Sequence, residues 1–342
     1  MPVLVVDLQS SSRNWALPAS GADAIRARTP AGWTVRFVAS PTVSDGDGGA
    51  PPGAEVLGQI ADAEVYFGFG IGEPLFRAAP RLRWVQSAAA GVASLLHPAM
   101  LASDVVLTNA AGLMAEPIGD HAVGGILSLL RGFDVAQAAY RDGRWDKGPF
   151  VEGNLLREAS ECRALIVGAG GIGSAIARRL SAHGMHVTGL RRRVEAGRPD
   201  GFDAVAGLEA LDALLPGTDV LVLAAAHTPA TRGLLDVSRL AALPAHAILV
   251  NVARGALVDE AALAAALRAG RLRGAVLDVF SQEPLPAGHP LWGLPNVIFT
   301  PHISAISPRR FWDRQLELFL DNWDRYRRGE PLRNTVDKRA GY

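Results

Sequence analysis

"ALIVGAGGIGSAIARRL", residues 164–180, decides the fold. Apolar residues 164–167 run into Gly168-x-Gly170-x-x-Gly173 and then into a stretch free of helix breakers. The order is strand, tight turn, helix. Each glycine then has its own role. Gly168 permits the turn, Gly170 lets a pyrophosphate approach the backbone, and Gly173 lets helix and strand pack closely. The helix start offers unpaired amides and the positive end of its dipole to phosphate. A glycine-rich turn alone is common; the strand before it and the helix after it make this one a dinucleotide site.

Downstream, strand-like runs alternate with helical ones. "HVTGL", "DVLVLAA", "AILVNVA", "GAVLDVF" and "VIFTP" are separated by "SAIARRLSAHG", "LEALDALLPG", "VSRLAALP" and "DEAALAAALRAG". Uniformly apolar strands between helices predict a parallel sheet covered on both faces. Upstream, "VLVVDL", "WTVRFVA", "AEVYFGF", "LRWVQSA" and "VVLTNA" are five further strand candidates. Residues 41–53, rich in Gly, Pro and Asp, read as an exposed loop. Residues 116–145 carry helical apolar spacing with Pro117 near the start, and predict one long helix opening a second domain. The last helical stretch, 308–329, is expected to return to the first domain.

The 342 residues suit two domains. Lys plus Arg number 34 and Asp plus Glu 34, so no net field draws the chain to nucleic acid or anionic lipid. No apolar run approaches the ~18 residues that span a bilayer, and neither membrane nor nucleic acid is expected as a partner. The start, "MPVLVVDLQ", reads as a first strand rather than a signal peptide. The single cysteine, Cys162, excludes an intrachain disulfide and suits a reducing, cytoplasmic setting. No metal is expected.

The strand "HVTGL" ends in Arg191, Arg192 and Arg193, where a dinucleotide fold often places an acid on the ribose 2′-hydroxyl. An acid would repel a 2′-phosphate, whereas a guanidinium pairs with one. NADP(H) is therefore favoured. The alternative is solvent-facing arginines and acceptance of NAD(H). Further on, Arg254 follows the strand "AILVNVA", Asp278 lies at the end of "GAVLDV" with Glu283 just past it, and His302 follows "VIFTP". Carboxyl ends of parallel strands are where such folds bind ligands. Arg254 would grip a carboxylate and polarise a carbonyl, His302 would be the acid or base, and Glu283 would bond the imidazole. Singly, each has an ordinary structural explanation; in this order they form a set for moving a hydride and a proton on an anionic substrate.

"VGAGGIG", "HTPATRGLLD", "LVNVARGALVDEAAL", "LDVFSQEPLP" and "TPHIS" together resemble the signatures of the D-2-hydroxyacid dehydrogenase family. "VQSAAAGVASL" and "LTNAAG" match its substrate-domain segments, so the likeness covers nearly the whole chain. The resemblance implies an α/β protein of two Rossmann-like domains with parallel sheets. In it, a dinucleotide-binding domain (113–303) is inserted into a discontinuous substrate domain (1–112 and 304–342). It implies Arg254, Glu283 and His302 as the catalytic trio and the amides around Ala90 and Gly91 as holders of the substrate carboxylate. It implies cofactor contacts from Gly171 and Ile172, from His227 to Pro229, from Ala253 and from Asp278. A homodimer joined through the dinucleotide domains is also implied, with the helix after Glu116 as a candidate interface. Phe67, Phe69 and Trp145 suggest a partly apolar substrate pocket.

Three features depart from the family pattern: Asp120 where Glu is common, "REASECRA" before the glycine strand, and "HISA" without the usual glycines. The expected activity is reduction of a 2-keto acid, glyoxylate-like, hydroxypyruvate-like or bulkier, to a D-2-hydroxy acid. The rival reading is a nucleotide-sensing, corepressor-like binding protein on the same fold. Oxidation of formate is disfavoured by Glu283, since formate enzymes of this kind carry glutamine there.

Overall fold

The structure is a computed structural model that describes residues 1–42, 52–153 and 155–341. Most of the loop expected at 41–53 therefore lies outside the described residues. The chain divides into two compact units: unit 1 is Met1–Leu113 with Ser307–Tyr342, and unit 2 is Met114–Ile306. Each holds a parallel sheet.

In unit 1 the order is β1 (Val3–Asp7), α1 (Ala19–Arg28), β2 (Thr34–Phe37), α2 (Ala54–Gln59), β3 (Ala63–Gly68), α3 (Glu73–Arg77), β4 (Trp84–Ser87), α4 (Pro98–Leu101) and β5 (Val106–Thr108). The strands lie side by side as β2-β1-β3-β4-β5, all parallel. The five strand candidates of the N-terminal part all become strands of this sheet.

Unit 2 continues with α5 (Ala115–Leu130), α6 (Phe133–Arg141), α7 (Gly148–Val151), β6 (Arg163–Val167), α8 (Gly171–Ala182), β7 (His186–Leu190) and β8 (Ala204–Ala206). Then come α9 (Leu211–Leu214), β9 (Val220–Leu223), α10 (Val237–Ala242), β10 (Ile248–Asn251), α11 (Glu260–Arg268), β11 (Gly274–Leu277) and β12 (Val297–Phe299). The sheet order is β12-β11-β10-β9-β6-β7-β8, again all parallel. From β6 the chain steps outward through β7 and β8, then returns to the other side of β6 and steps outward through β9 to β12. The reversal point therefore lies between β6 and β9, where ligands bind in such sheets.

The helix over 116–145 is two helices, because Gly132 adopts a left-handed φ of 67° and breaks it before α6. A packed side chain there is excluded as well, since a Cβ on Gly132 would lie 2.8 Å from the Phe150 ring. The short strand β8, "AVA", has no apolar run long enough to stand out in the sequence.

Helix α12 (Phe311–Arg328) packs on unit 1. Its buried residues Phe311, Trp312, Gln315, Leu318, Phe319, Asn322 and Trp323 recur at helical spacing. Phe319 stacks on Phe67 at 4.1 Å and on Trp84 at 5.7 Å. Phe67 is thus fully buried in the core and faces no pocket, contrary to the expectation from sequence. Strands of a sheet covered on both faces bury their side chains in both directions, so an aromatic on β3 carries no signal of a pocket.

In unit 2, α5 lies against α8 and the sheet. A Cβ on Gly125 would come 2.6 Å from Val276, and one on Gly119 3.3 Å from the Ala175 Cβ, so the small residues set a close approach. The apolar stripe Ala122, Ile126 and Leu129 is completely buried within the unit. Arg179 joins the two helices by bonding both Glu116 and Asp120 at 2.7 Å.

Candidate active site

The glycine turn sits at the reversal point. Gly168, with φ of 105°, lies so close to the end of β9 that a Cβ would be 2.6 Å from Ala224 backbone atoms. A Cβ on Gly173 would be 2.0 Å from the Gly168 carbonyl oxygen. Both glycines are demanded by the fold itself. Gly170 is different: its φ is −90° and a Cβ would meet nothing within 4 Å. No protein atom requires glycine there, and the open space in front of the turn is where a pyrophosphate would lie. Among the described residues the amides of Gly171 and Ile172, at the start of α8, meet no protein acceptor. A cradle that only a ligand would fill, with free amides aimed at it, fits a dinucleotide.

Arg191 leaves the end of β7, where its backbone amide bonds the Ala206 carbonyl. Its guanidinium donates to the Gly197 carbonyl at 2.8 Å, so its place is set by the loop 194–197. Arg192 is exposed beside it. After β9, His227 and Pro229 are exposed on a loop that Thr231 straps from within, donating to the Ala226 carbonyl at 2.7 Å and accepting from the Thr228 amide at 2.8 Å.

Arg254 follows β10. Asn251, buried at the strand end, shapes the turn: its amide group donates to the Arg254 carbonyl at 3.0 Å and its oxygen accepts from the Ala253 amide at 3.1 Å. Arg254 itself donates to the Ala253 carbonyl at 2.8 Å. The next residue, Gly255, touches the loop after β11 so closely that a Cβ would be 1.9 Å from the Phe280 carbonyl carbon and 2.0 Å from the Ser281 nitrogen. This contact locks the Arg254 turn to the segment carrying Glu283. Sequence reading missed it, although a glycine directly after a strand-end arginine was the available signal.

Glu283 accepts the Phe280 amide on Oε1 at 2.8 Å and turns Oε2 to His302 Nδ1 at 2.7 Å. Both side chains are partly exposed, 36% and 43%. Because Nδ1 is committed to the carboxylate, Nε2 is the nitrogen left to face a ligand. His302 has a left-handed backbone, φ 53°, which costs a non-glycine residue about 1–2 kcal/mol. Asp278 is fully buried and both its oxygens are engaged: Oδ1 accepts from Thr300 Oγ1 at 2.6 Å and the Ile303 amide at 2.9 Å, Oδ2 from the Ser304 amide at 3.0 Å.

In unit 1, the turn 88–91 has its carbonyls tied inward. Gln315 donates to the Ala88 carbonyl at 2.7 Å, the Ala110 amide to Ala89 at 3.0 Å, and Asn109 to Ala90 at 2.8 Å. Among the described residues the amides of Ala90 and Gly91 meet no acceptor. Bonded carbonyls beside unpartnered amides are the pattern that would suit an anion. Gln315 and Asn109, both buried polar residues far apart in sequence, were not singled out by sequence reading. Phe69 packs edge-on against Trp15 and Trp312 in the same unit. Trp145 belongs to unit 2 and is 90% exposed.

Residues 123–304 match the family described as D-isomer specific 2-hydroxyacid dehydrogenase, NAD binding domain. The glyoxylate/hydroxypyruvate reductase A of Escherichia fergusonii is 36% identical over 267 residues, 76% of this chain and 82% of that protein. A D-isomer specific 2-hydroxyacid dehydrogenase from Xanthobacter autotrophicus Py2, solved with NADPH and MES, superposes with a TM-score of 0.81 at 33% identity, covering 100% of this chain and 99% of that one. An NADPH-dependent glyoxylate/hydroxypyruvate reductase from Sinorhizobium meliloti, solved with NADP and sulfate, gives 0.78 at 27% identity over the full length of both chains. With the reversal-point cradle and these likenesses together, the chain belongs to the D-isomer specific 2-hydroxyacid dehydrogenases and is an oxidoreductase that uses a nicotinamide dinucleotide.

Proposed function

We propose that the protein reduces small 2-keto acids, of the glyoxylate or hydroxypyruvate kind, to D-2-hydroxy acids, with NADPH preferred over NADH. The 2.7 Å bond between His302 Nδ1 and Glu283 carries the reading, because it presents the other imidazole nitrogen as a proton donor.

The residues suggest the division of labour. Arg254 neutralises the substrate carboxylate and polarises the adjacent carbonyl, and the unpartnered amides of Ala90 and Gly91 suit an anionic group. The bound nicotinamide supplies the hydride. His302 Nε2 gives its proton to the oxygen that becomes the hydroxyl, and Glu283 stabilises the charged imidazole beforehand and fixes the ring. In the oxidative direction the same imidazole takes that proton back. Gly170, with the amides of Gly171 and Ile172, receives the pyrophosphate. His227, Pro229 and Ala253 line the cofactor's path along the strand ends, and Arg191 with Arg192 meets the 2′-phosphate. The names of the relatives support this substrate class.

The protein works as a homodimer in the cytoplasm on this reading. The apolar stripe of α5 is spent inside unit 2, so the dimer surface shifts to the exposed Phe133 and Tyr140 of α6 and to Trp145 and Val151 after it. Exposed apolar residues gathered on one segment are the usual mark of an interface.

The test is a panel of 2-keto acids assayed with both reduced cofactors, beside His302→Ala. The variant should lose at least about 10²–10⁴-fold in kcat while binding NADPH as the wild type does. Turnover that survives in His302→Ala removes the proton-donor assignment, and wild-type inactivity across the panel removes the proposed substrate class.

A further inference from the structure

We propose that Asp278, Thr300 and His121 form a partly buried chain of hydrogen bonds, anchored on the buried Asp278, that positions His302, with His121 and Thr300 as positioning residues for proton transfer. This rests on the assignment of His302 as proton donor.

The geometry gives the direction of each bond. Thr300 Oγ1 lies 2.6 Å from Asp278 Oδ1 and 3.1 Å from His121 Nε2. A hydroxyl has one proton, and the shorter contact to a carboxylate takes it. His121 Nε2 must then be the donor to Thr300, which fixes the tautomer of that ring. His121 stands on α5 and Thr300 follows β12, so the chain ties the helix to the loop bearing His302. Asp278 grips that loop on both sides of the histidine. Its carboxylate holds Thr300 before it and the amides of Ile303 and Ser304 after it, and its backbone carbonyl accepts the His302 amide at 2.9 Å.

This clamp explains how a non-glycine residue stays at φ 53°. The loop's bonds over-determine the conformation and offset its cost. It also gives Asp278 a role in the loop. With both oxygens engaged and no exposure, its carboxylate is an anchor for the histidine loop. Removing the Thr300 hydroxyl takes one donor from Asp278 and the acceptor from His121.

Thr300→Val keeps the shape of the side chain and removes the hydroxyl; Thr300→Ser restores it. We expect Thr300→Val to lower kcat roughly tenfold or more with little change in NADPH affinity, and Thr300→Ser to recover most of the loss. His121→Phe, which removes only the outer donor, should lower kcat by a smaller factor. The independent readout is the downfield Nδ1 proton signal of His302 in the cofactor-free protein, assigned by its disappearance in Glu283→Gln. That signal should shift or broaden in Thr300→Val and return in Thr300→Ser. Wild-type kcat together with an unmoved signal in Thr300→Val overturns the proposal. If the wild type reduces no 2-keto acid, the functional reading fails, and the proton signal still decides whether the chain positions the ring.

Discussion

Replacing Gly255 by alanine tests the tie between Arg254 and Glu283 without touching either. The added Cβ would lie 1.9 Å from the Phe280 carbonyl carbon, where contacts under 3.0 Å do not occur. Both neighbours are backbone atoms, so no rotamer change relieves the overlap, and the two loops must part by about 1 Å. Overpacking of this kind costs about 1–3 kcal/mol of stability. A loss of ~2 kcal/mol lowers the melting temperature of a domain of this size by roughly 4–8 °C. The catalytic effect should be larger, because a displacement of ~1 Å at reacting groups costs about a hundredfold in rate. The assay is kcat/KM on the best 2-keto acid, with NADPH affinity from fluorescence quenching and a thermal melt. We expect kcat/KM to fall about a hundredfold in a folded protein. A Gly255→Ala protein with wild-type turnover and melting temperature would refute the reasoning, since the contact would then have no structural consequence.

The glycine turn offers a paired test: Gly170→Ala should melt close to the wild type and bind NADPH roughly tenfold or more weakly, because its Cβ meets ligand space only. Gly173→Ala, whose Cβ would strike the Gly168 carbonyl at 2.0 Å, should lose stability and binding together, as a thermal melt and a binding titration on each will show. Arg191→Asp should shift the NADPH to NADH ratio of kcat/KM toward NADH by roughly tenfold or more, from the loss of a charge-assisted bond worth about 1.5–3 kcal/mol; an unchanged ratio would place the 2′-phosphate elsewhere. Asp219 has its carboxyl pushed up by burial, but the Arg163 amide and the Arg157 guanidinium outweigh this and hold it below the ordinary range. Its ionised form therefore stabilises the fold above the unfolded value of about 3.9, and that contribution disappears as pH falls through the lowered folded value. Asp219→Asn should cost ~2 kcal/mol at pH 7 in denaturant unfolding, with the gap to the wild type closing in acid.

Sequence and structure agree most where a residue's role is local. The Gly168 and Gly173 requirements follow from the geometry of any strand–turn–helix, so the spacing revealed them. The strands of both sheets other than β8 stand out as largely apolar runs, because a sheet covered on both faces leaves no polar alternation. Local signals failed where one residue interrupts a pattern, as Gly132 does within 116–145, or where an element is too short to have a pattern, as β8 is. Phe67 misled for the opposite reason: an aromatic on a doubly covered strand looks the same in a pocket as in a core, and here it stacks on Phe319, far along the chain.

The sequence alone determined the parallel α/β class, the glycine turn and the identity of Arg254, Glu283 and His302 as strand-end residues, since each depends on neighbours within a few positions. Tertiary structure alone decided the 2.7 Å approach of Glu283 to His302, the close packing of Gly255 on Phe280, and the clamp of Asp278, Thr300 and His121. It also decided which carbonyls of the 88–91 turn are held inward by Gln315 and Asn109. Those bonds join segments up to 227 residues apart, and their partners are ordinary polar residues whose role exists only once strand order and helix packing bring them within reach.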